Sequence, residues 1–171
     1  MPEKQREALG RYMATCAAAA PEFRWTPAAN LHLTVRFVGG VDRSLVEGIA
    51  NTLAEAPPPG FQVALGEGGT FRRGRLVRVV WIGLRSGADE ARLLAAVVEA
   101  ECVRAGLEPD ARPFQPHLTL SRAPDRDGST LPALPDPPQL KAWIADELVL
   151  YSSHLGRSGA VYEPLRRVRL S

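Results

Sequence analysis

Two of the three histidines in this chain of 171 residues lie in the same tripeptide. Residues 31–35 read Leu-His-Leu-Thr-Val and residues 116–120 read Pro-His-Leu-Thr-Leu, so His-Leu-Thr occurs at position 32 and again at position 117. The copies are about half a chain apart. Histidine titrates near neutrality, so of two imidazoles one can accept a proton while the other donates one. Displacement at phosphorus uses such a pair: a base for the attacking oxygen and an acid for the leaving oxygen. Thr34 and Thr119, each two residues past its histidine, offer hydroxyls to phosphate oxygens, where transition-state charge collects. Two imidazoles can move both protons without a metal ion. A lone His-x-Thr is a weak signal, because exposed strand faces often carry both residue types. The identical second copy, with the same apolar partners, carries the reading.

Both copies have the period of a strand. Leu31, Leu33, Val35 and Phe37 alternate with His32, Thr34 and Arg36, and Leu118 and Leu120 alternate with His117, Thr119 and Ser121. Period two sends the apolar set to one face and the polar set to the other, with His32 and Thr34 roughly 7 Å apart along the strand. If the halves pack as pseudo-symmetric lobes, the two polar faces can line one cleft, with an imidazole from each side. Arg36 shares the parity of His32 and is a second candidate for reaching phosphate.

The elements around these strands follow from periodicity and breakers. Residues 2–20 predict a helix, with Pro2 in its first turn, an apolar stripe at Leu9, Met13, Cys16 and Ala20, and Pro21 as its stop. A second helix is expected over 43–56, capped by Ser44 with Glu47 or by Asp42, and ended by Pro57-Pro58-Pro59-Gly60. Phe61–Leu65 predicts a short strand, 66–74 a glycine-rich connection, and 76–84 a strand. The connection has no phosphate-loop pattern. A third helix is expected over 88–105, with Leu93, Leu94, Val97, Val98 and Cys102 inward and Gly106 as its stop. Residues 123–138, with five prolines, predict an exposed loop and a candidate flap. A strand over 142–153, a turn at Gly156-Arg157-Ser158-Gly159 and a returning strand over 160–170 predict a hairpin. The order defines an α+β fold with a crude twofold echo, one bilobal domain spanning 1–171.

Composition narrows the class. Apolar content of 45% with 23% charged residues is that of an ordinary globular chain, and no window has the long uncharged run of a membrane helix. A cytoplasmic location is the expectation. Cys16 and Cys102 have no metal-ligand spacing and are expected to be buried thiols. The net charge of +2 does not by itself call for nucleic acid, but lysine occurs only at Lys4 and Lys141, so positive charge is almost all arginine, the side chain that forks onto phosphate. Biased composition explains that excess about as well. Arg72, Arg73, Arg75 and Arg78 can steer RNA or form a solvated edge, and Phe71 and Trp81 can stack a base or pack in a core. His154 fits no shared pattern and is expected at the surface.

With these residues in place, the chain resembles the two-histidine phosphoesterases, the LigT-like superfamily. Within it the chain is most similar to the bacterial and archaeal RNA 2′,3′-cyclic phosphodiesterases, the group once named 2′-5′ RNA ligases. The resemblance rests on 30–35 with Phe37-Val38-Gly39, on Phe71 with 78–84, on 114–122, and on 148–153 with Gly159 and Tyr162. It implies two pseudo-symmetric antiparallel sheets flanking a central cleft with helices outside. It implies metal-independent hydrolysis of a 2′,3′-cyclic phosphate, on RNA 3′ ends or nucleotides, to a 2′-phosphate, with no cofactor, membrane or obligate protein partner. His32 then matches the acid that protonates the departing 3′ oxygen and His117 the base that activates water. Thr34, Thr119 and Arg122 match phosphate-binding groups. The residues alone leave open which ring is acid and which base. Joining of RNA ends through a 2′-5′ linkage, and a nucleotide- or RNA-binding module without turnover, are the alternatives.

The chain departs from the family at its start. Members usually open with a short apolar strand before the first helix, and this sequence begins at the helix. Either the recorded start is truncated or the lobe lacks this strand; a missing sheet member leaves backbone groups unpaired, so the expectation is lower stability than a version extended upstream. Equal melting temperatures of the two would refute it.

Overall fold

The computed structural model describes residues 1–156 and 159–171, with side-chain surroundings given outside 155–160. Along the chain run α1 (Glu3–Ala19), β1 (Arg24–Trp25), a 3-10 turn (Ala28–Asn30), α2 (Arg43–Glu55), β2 (Phe61–Arg73), β3 (Leu76–Ser86), α3 (Ala88–Arg104), β4 (His117–Arg122), β5 (Trp143–Ala145), β6 (Glu147–Gly156) and β7 (Gly159–Arg169). All pairing within the two sheets for which register is defined is antiparallel. The expected α+β class with two antiparallel sheets is therefore met. Contacts divide the chain into two units.

The first unit comprises Met1–Thr34, Gln62–Ala88 and Pro116–Trp143. Its sheet runs in the order β1-β4-β3-β2, with β5 beyond β2. The expected stripe of α1 packs onto one face of this sheet: Leu9 and Met13 join Leu31, Leu65, Ile82, Leu118 and Leu120 in one cluster. Each such side chain contributes roughly 1.5–3 kcal/mol on full burial, so this face is where the sheet is held. Ala20, Phe23, Val77, Val80 and Ala123 form a second cluster beside it.

Residues 66–74 are not a connection. β2 continues through them to Arg73 and pairs with β3 as far as Leu76. The glycines are required by close approaches within the sheet. A Cβ on Gly69 would lie 2.3 Å from two carbons of the Trp81 indole. The hairpin turns at Gly74, with φ of 58° at the first loop position, where a two-residue hairpin favours glycine.

Residues 123–142 are irregular but are tied to the first unit. Ser129 exchanges backbone bonds of 2.9 Å with Val77 in both directions, Leu131 and Leu134 pack on the Phe23 cluster, and Tyr12 Oη donates to the Pro135 carbonyl at 3.0 Å.

The second unit comprises Val35–Phe61, Asp89–Gln115 and Ile144–Ser171. The β6–β7 hairpin forms as expected, though the strand expected over 142–153 is broken into β5 and β6 at Asp146. The expected turn lies outside the described residues at 157 and 158. α2 packs on β6 and β7 through the buried Val46, Ile49, Ala50 and Leu53. Asp42 occupies its N-cap position without a side-chain cap bond, and Glu47 pairs with Arg43 at 2.8 Å rather than closing a capping box.

α3 ends as its glycine requires: Gly106 has φ of 91°, Gly106 N–H donates to Val103 and Leu107 N–H to Cys102, the paired bonds of a Schellman cap. Its inward face is Ala91, Leu94, Ala95, Val98 and Cys102, whereas Leu93 and Val97 are exposed. The expected stripe was too wide, because runs of adjacent apolar residues do not identify which edge faces the core. Cys16 and Cys102 are both buried, and burial pushes both thiols up, which keeps them in the inert neutral form near pH 7.

Candidate active site

The first His-Leu-Thr copy is not a ladder strand. After β1 pairs with β4 (Arg24 with Arg122, Trp25 with Ser121), the chain makes the 3-10 turn and returns to β4 at a single antiparallel bridge, Leu33 with Leu118. Both copies therefore belong to the first unit and meet as immediate neighbours, rather than as one contribution from each half.

That bridge sets the site. Leu33 and Leu118 are the central residues of the two copies, and both turn toward the α1 cluster. One step either way along antiparallel strands puts His32 opposite Thr119 and Thr34 opposite His117, all four on the other face. The two histidines are then diagonal neighbours, with Cα atoms about 7–8 Å apart. All four residues are half-buried.

On its other side β4 pairs with β3: His117 with Gly83, Leu118 with Ile82 and Thr119 with Trp81. Trp81 in turn pairs with Gly69 of β2, and its indole lies across that glycine. Phe71 stands edge-on to His117, with ring centroids 5.0 Å apart at 90°. Trp81 is 6.2 Å from His117 and 5.4 Å from Phe71. The second histidine thus sits against two aromatic rings, and these rings pack with the site rather than within the α1 cluster.

His32 is held differently. Its Nδ1 lies 2.7 Å from the Asn30 carbonyl. A carbonyl only accepts, so Nδ1–H is the donor, and Nε2 is the other ring nitrogen of that tautomer. Sequence reasoning gave Asn30 no role, yet its carbonyl fixes the tautomer of this ring. Its position two before His32 was visible, but the 3-10 turn that aims its carbonyl was not.

Arg122 reaches the same face only because β4 is bulged. Val80 pairs with Ser121 and Trp81 with Thr119, which leaves Leu120 unmatched. Leu120 and Ser121 both turn inward, at 1% and 0% exposure, and Arg122 emerges exposed. Strict alternation would have put Ser121 beside Thr119 and Arg122 toward the core. The extra residue reverses that, as bulges near sites do. β3 has a matching bulge: Phe71 pairs with Val79 and Arg72 with Val77, so Arg78 is unmatched.

The other candidates are placed elsewhere. Arg36 is in the second unit with its guanidinium on acidic groups: Nε is 2.7 Å from Glu99 Oε2, at an angle short of a hydrogen bond, Nη1 is 3.4 Å from Asp110, and Nη2 donates to the Glu108 carbonyl. It is a structural ion pair, not a phosphate ligand. Arg73 pairs with Asp127, and Arg72 Nε donates to Thr70 Oγ1 at 3.0 Å. His154 is exposed. Among the described residues no group of three or more His, Cys, Asp or Glu is arranged to hold a metal ion, and no helix is long and apolar enough to cross a membrane.

The fold that carries this half-buried sheet face, with its two His-x-Thr copies at one bridge, is shared with solved LigT structures. In solved structures, Escherichia coli LigT complexed with 3′-AMP superposes with a TM-score of 0.84 at 31% identity, covering 100% of this chain and 94% of that one. The phosphate complex of the same protein gives 0.80 at 29% identity, covering 100% and 93%. Residues 2–157 match the 2′-5′ RNA ligase superfamily, and the chain belongs to that family. It is 32% identical over 172 residues to the RNA 2′,3′-cyclic phosphodiesterase of Escherichia coli K12, covering 100% of this chain and 93% of the relative. It is also 32% identical over 146 residues to the enzyme of that name from Aeropyrum pernix, covering 82% of each.

Proposed function

We propose that this chain is an RNA 2′,3′-cyclic phosphodiesterase, with the whole of 1–171 as its catalytic domain, acting in the cytoplasm on RNA 3′ ends or nucleotides. The observation that carries the reading is the Leu33–Leu118 bridge, which turns both histidines and both threonines to one face. A relative that bears this activity in its name, at 32% identity across the whole chain, supports it.

In the proposed reaction a water oxygen attacks phosphorus from the side opposite the 3′ oxygen. His117 takes the proton that the water loses. The bond from phosphorus to O3′ breaks, and the 3′ oxygen takes a proton from His32 Nε2, while Nδ1–H stays on the Asn30 carbonyl. The product carries a 2′-phosphate and a 3′-hydroxyl, and proton exchange with solvent resets the two rings. Thr34 and Thr119 donate to the non-bridging phosphate oxygens. Arg122, three positions past Thr119 and about 10 Å along the strand, extends its guanidinium to the same group. Every donor belongs to the protein, so the chemistry runs without a metal ion.

The test is turnover of each 2′,3′-cyclic nucleotide with and without a strong chelator, followed by identification of the phosphate position. The expected product is the 2′-phosphate, at a rate the chelator leaves within twofold. A 3′-phosphate product would reverse the leaving oxygen. Tight binding of a nucleoside 2′-phosphate with no turnover of the cyclic form would make the chain a binding module.

A further inference from the structure

Beyond the catalytic rows, three arginines share one row of the same sheet. Arg24 of β1 pairs directly with Arg122 of β4, Arg122 pairs with Val79 of β3, and Arg78 is the bulged residue beside Val79. The burial pattern shows which way they point. Val77 and Val80 are buried at 1% and 4%, so both Arg78 and Val79 turn away from the core, and all three arginines are exposed.

Like charges directly opposite in a ladder repel, yet none of the three has an ion-pair partner among the described residues. Arg24 is held in the row by the fold instead. Its Nη2 donates to the carbonyls of Ala123 at 2.8 Å and Pro124 at 3.1 Å. The protein thus fixes a cluster of positive charge that its own carboxylates do not neutralise.

A 2′,3′-cyclic phosphate carries one negative charge, and Arg122 alone balances it. Arg24 and Arg78 are in excess of what the reacting group needs. We propose that they bind the phosphodiester immediately 5′ of the cyclic end, so that the enzyme selects RNA strands over cyclic mononucleotides. This rests on the catalytic reading above, because the terminal phosphate sets where the strand enters the row. An acidic peptide would satisfy the same charge, but an RNA strand arrives tethered to a group already seated in the site, which raises its effective concentration there.

The test compares cytidine 2′,3′-cyclic phosphate with a trinucleotide ending in the same group. In the wild type the trinucleotide has the higher kcat/KM. Arg78→Gln removes an exposed side chain and should lower the trinucleotide-to-mononucleotide ratio of kcat/KM about fivefold to tenfold. It should also flatten the dependence of trinucleotide binding on log salt by about 0.7. A ratio within twofold of wild type, or an equal loss on both substrates, overturns the proposal. Arg24→Gln gives the same change in ratio if it melts as a folded protein. If the wild type turns over neither substrate, the hydrolase reading fails. The row is then judged by affinity for a trinucleotide ending in a 2′-phosphate: a fivefold to tenfold loss in Arg78→Gln supports it and equal affinity overturns it. Displacement of the trinucleotide by poly-glutamate at equal charge concentration also overturns selection for RNA.

Discussion

Replacing His117 by alanine is expected to lower kcat for a 2′,3′-cyclic nucleotide by about 10²–10⁴-fold, the range for losing one positioned acid or base. His32→Ala should fall in the same range. The double variant should lose little more than the worse single one, because one reaction step needs both proton transfers at once. Neither ring is part of the α1 cluster, so both variants should melt as cooperatively as the wild type. His117 also packs against Phe71 and Trp81, which makes melting curves and near-ultraviolet circular dichroism the necessary companion to the rates. A His117 variant with native spectra and near-normal turnover would eliminate acid–base catalysis by this pair. A difference in pH profile then assigns the roles: loss of the acidic limb in one variant and of the basic limb in the other identifies base and acid.

Gly69→Ala is expected to be the most damaging single methyl that can be added near the site. Its Cβ would lie 2.3 Å from Trp81 Cη2 and Cζ2, closer than carbon atoms approach without repulsion. The indole cannot tilt freely, because Phe71 stands 5.4 Å from it and Gly83 lies under its other edge. Overpacking of this kind costs typically 1–3 kcal/mol, read as a shift in the urea midpoint at unchanged m. Activity should fall about tenfold with it, because Trp81 is part of the wall that holds the His117 ring. Gly40→Ala is the control: a Cβ there meets nothing within 4 Å and its φ is not positive, so stability should stay within about 0.5 kcal/mol. Equal effects of the two substitutions would show that Trp81 is not seated on Gly69.

The parts of the fold that were legible are those governed by local rules. The stripe Leu9, Met13, Cys16 and Ala20 is buried as its helical spacing requires, and Gly106 ends α3 with the left-handed backbone that glycine permits. The illegible parts depended on what lies across space. A glycine-rich stretch reads as a connection because glycine favours turns, but here Gly69 makes room for an indole twelve residues away. Leu93 and Val97 read as inward because they are apolar, yet only the neighbours of α3 determine which side of a wide stripe is covered. Arg36 shares the parity of His32 and reads as a phosphate ligand, until Glu99 and Asp110 are found beside it.

The repeated His-Leu-Thr by itself carried the proposed chemistry. Residue type fixes what can hold a proton and what can donate to phosphate, and strand period fixes that each histidine shares a face with its threonine. Tertiary structure alone decided how the two copies meet. They are neighbours at one bridge in one unit, and the residue in register with each histidine is the other copy's threonine. It also decided that Arg122 shares their face, because alternation counts residues as if every strand were regular. The bulge at Leu120 adds one residue to β4 that has no partner on β3, and a single unpaired residue inverts the facing of everything beyond it.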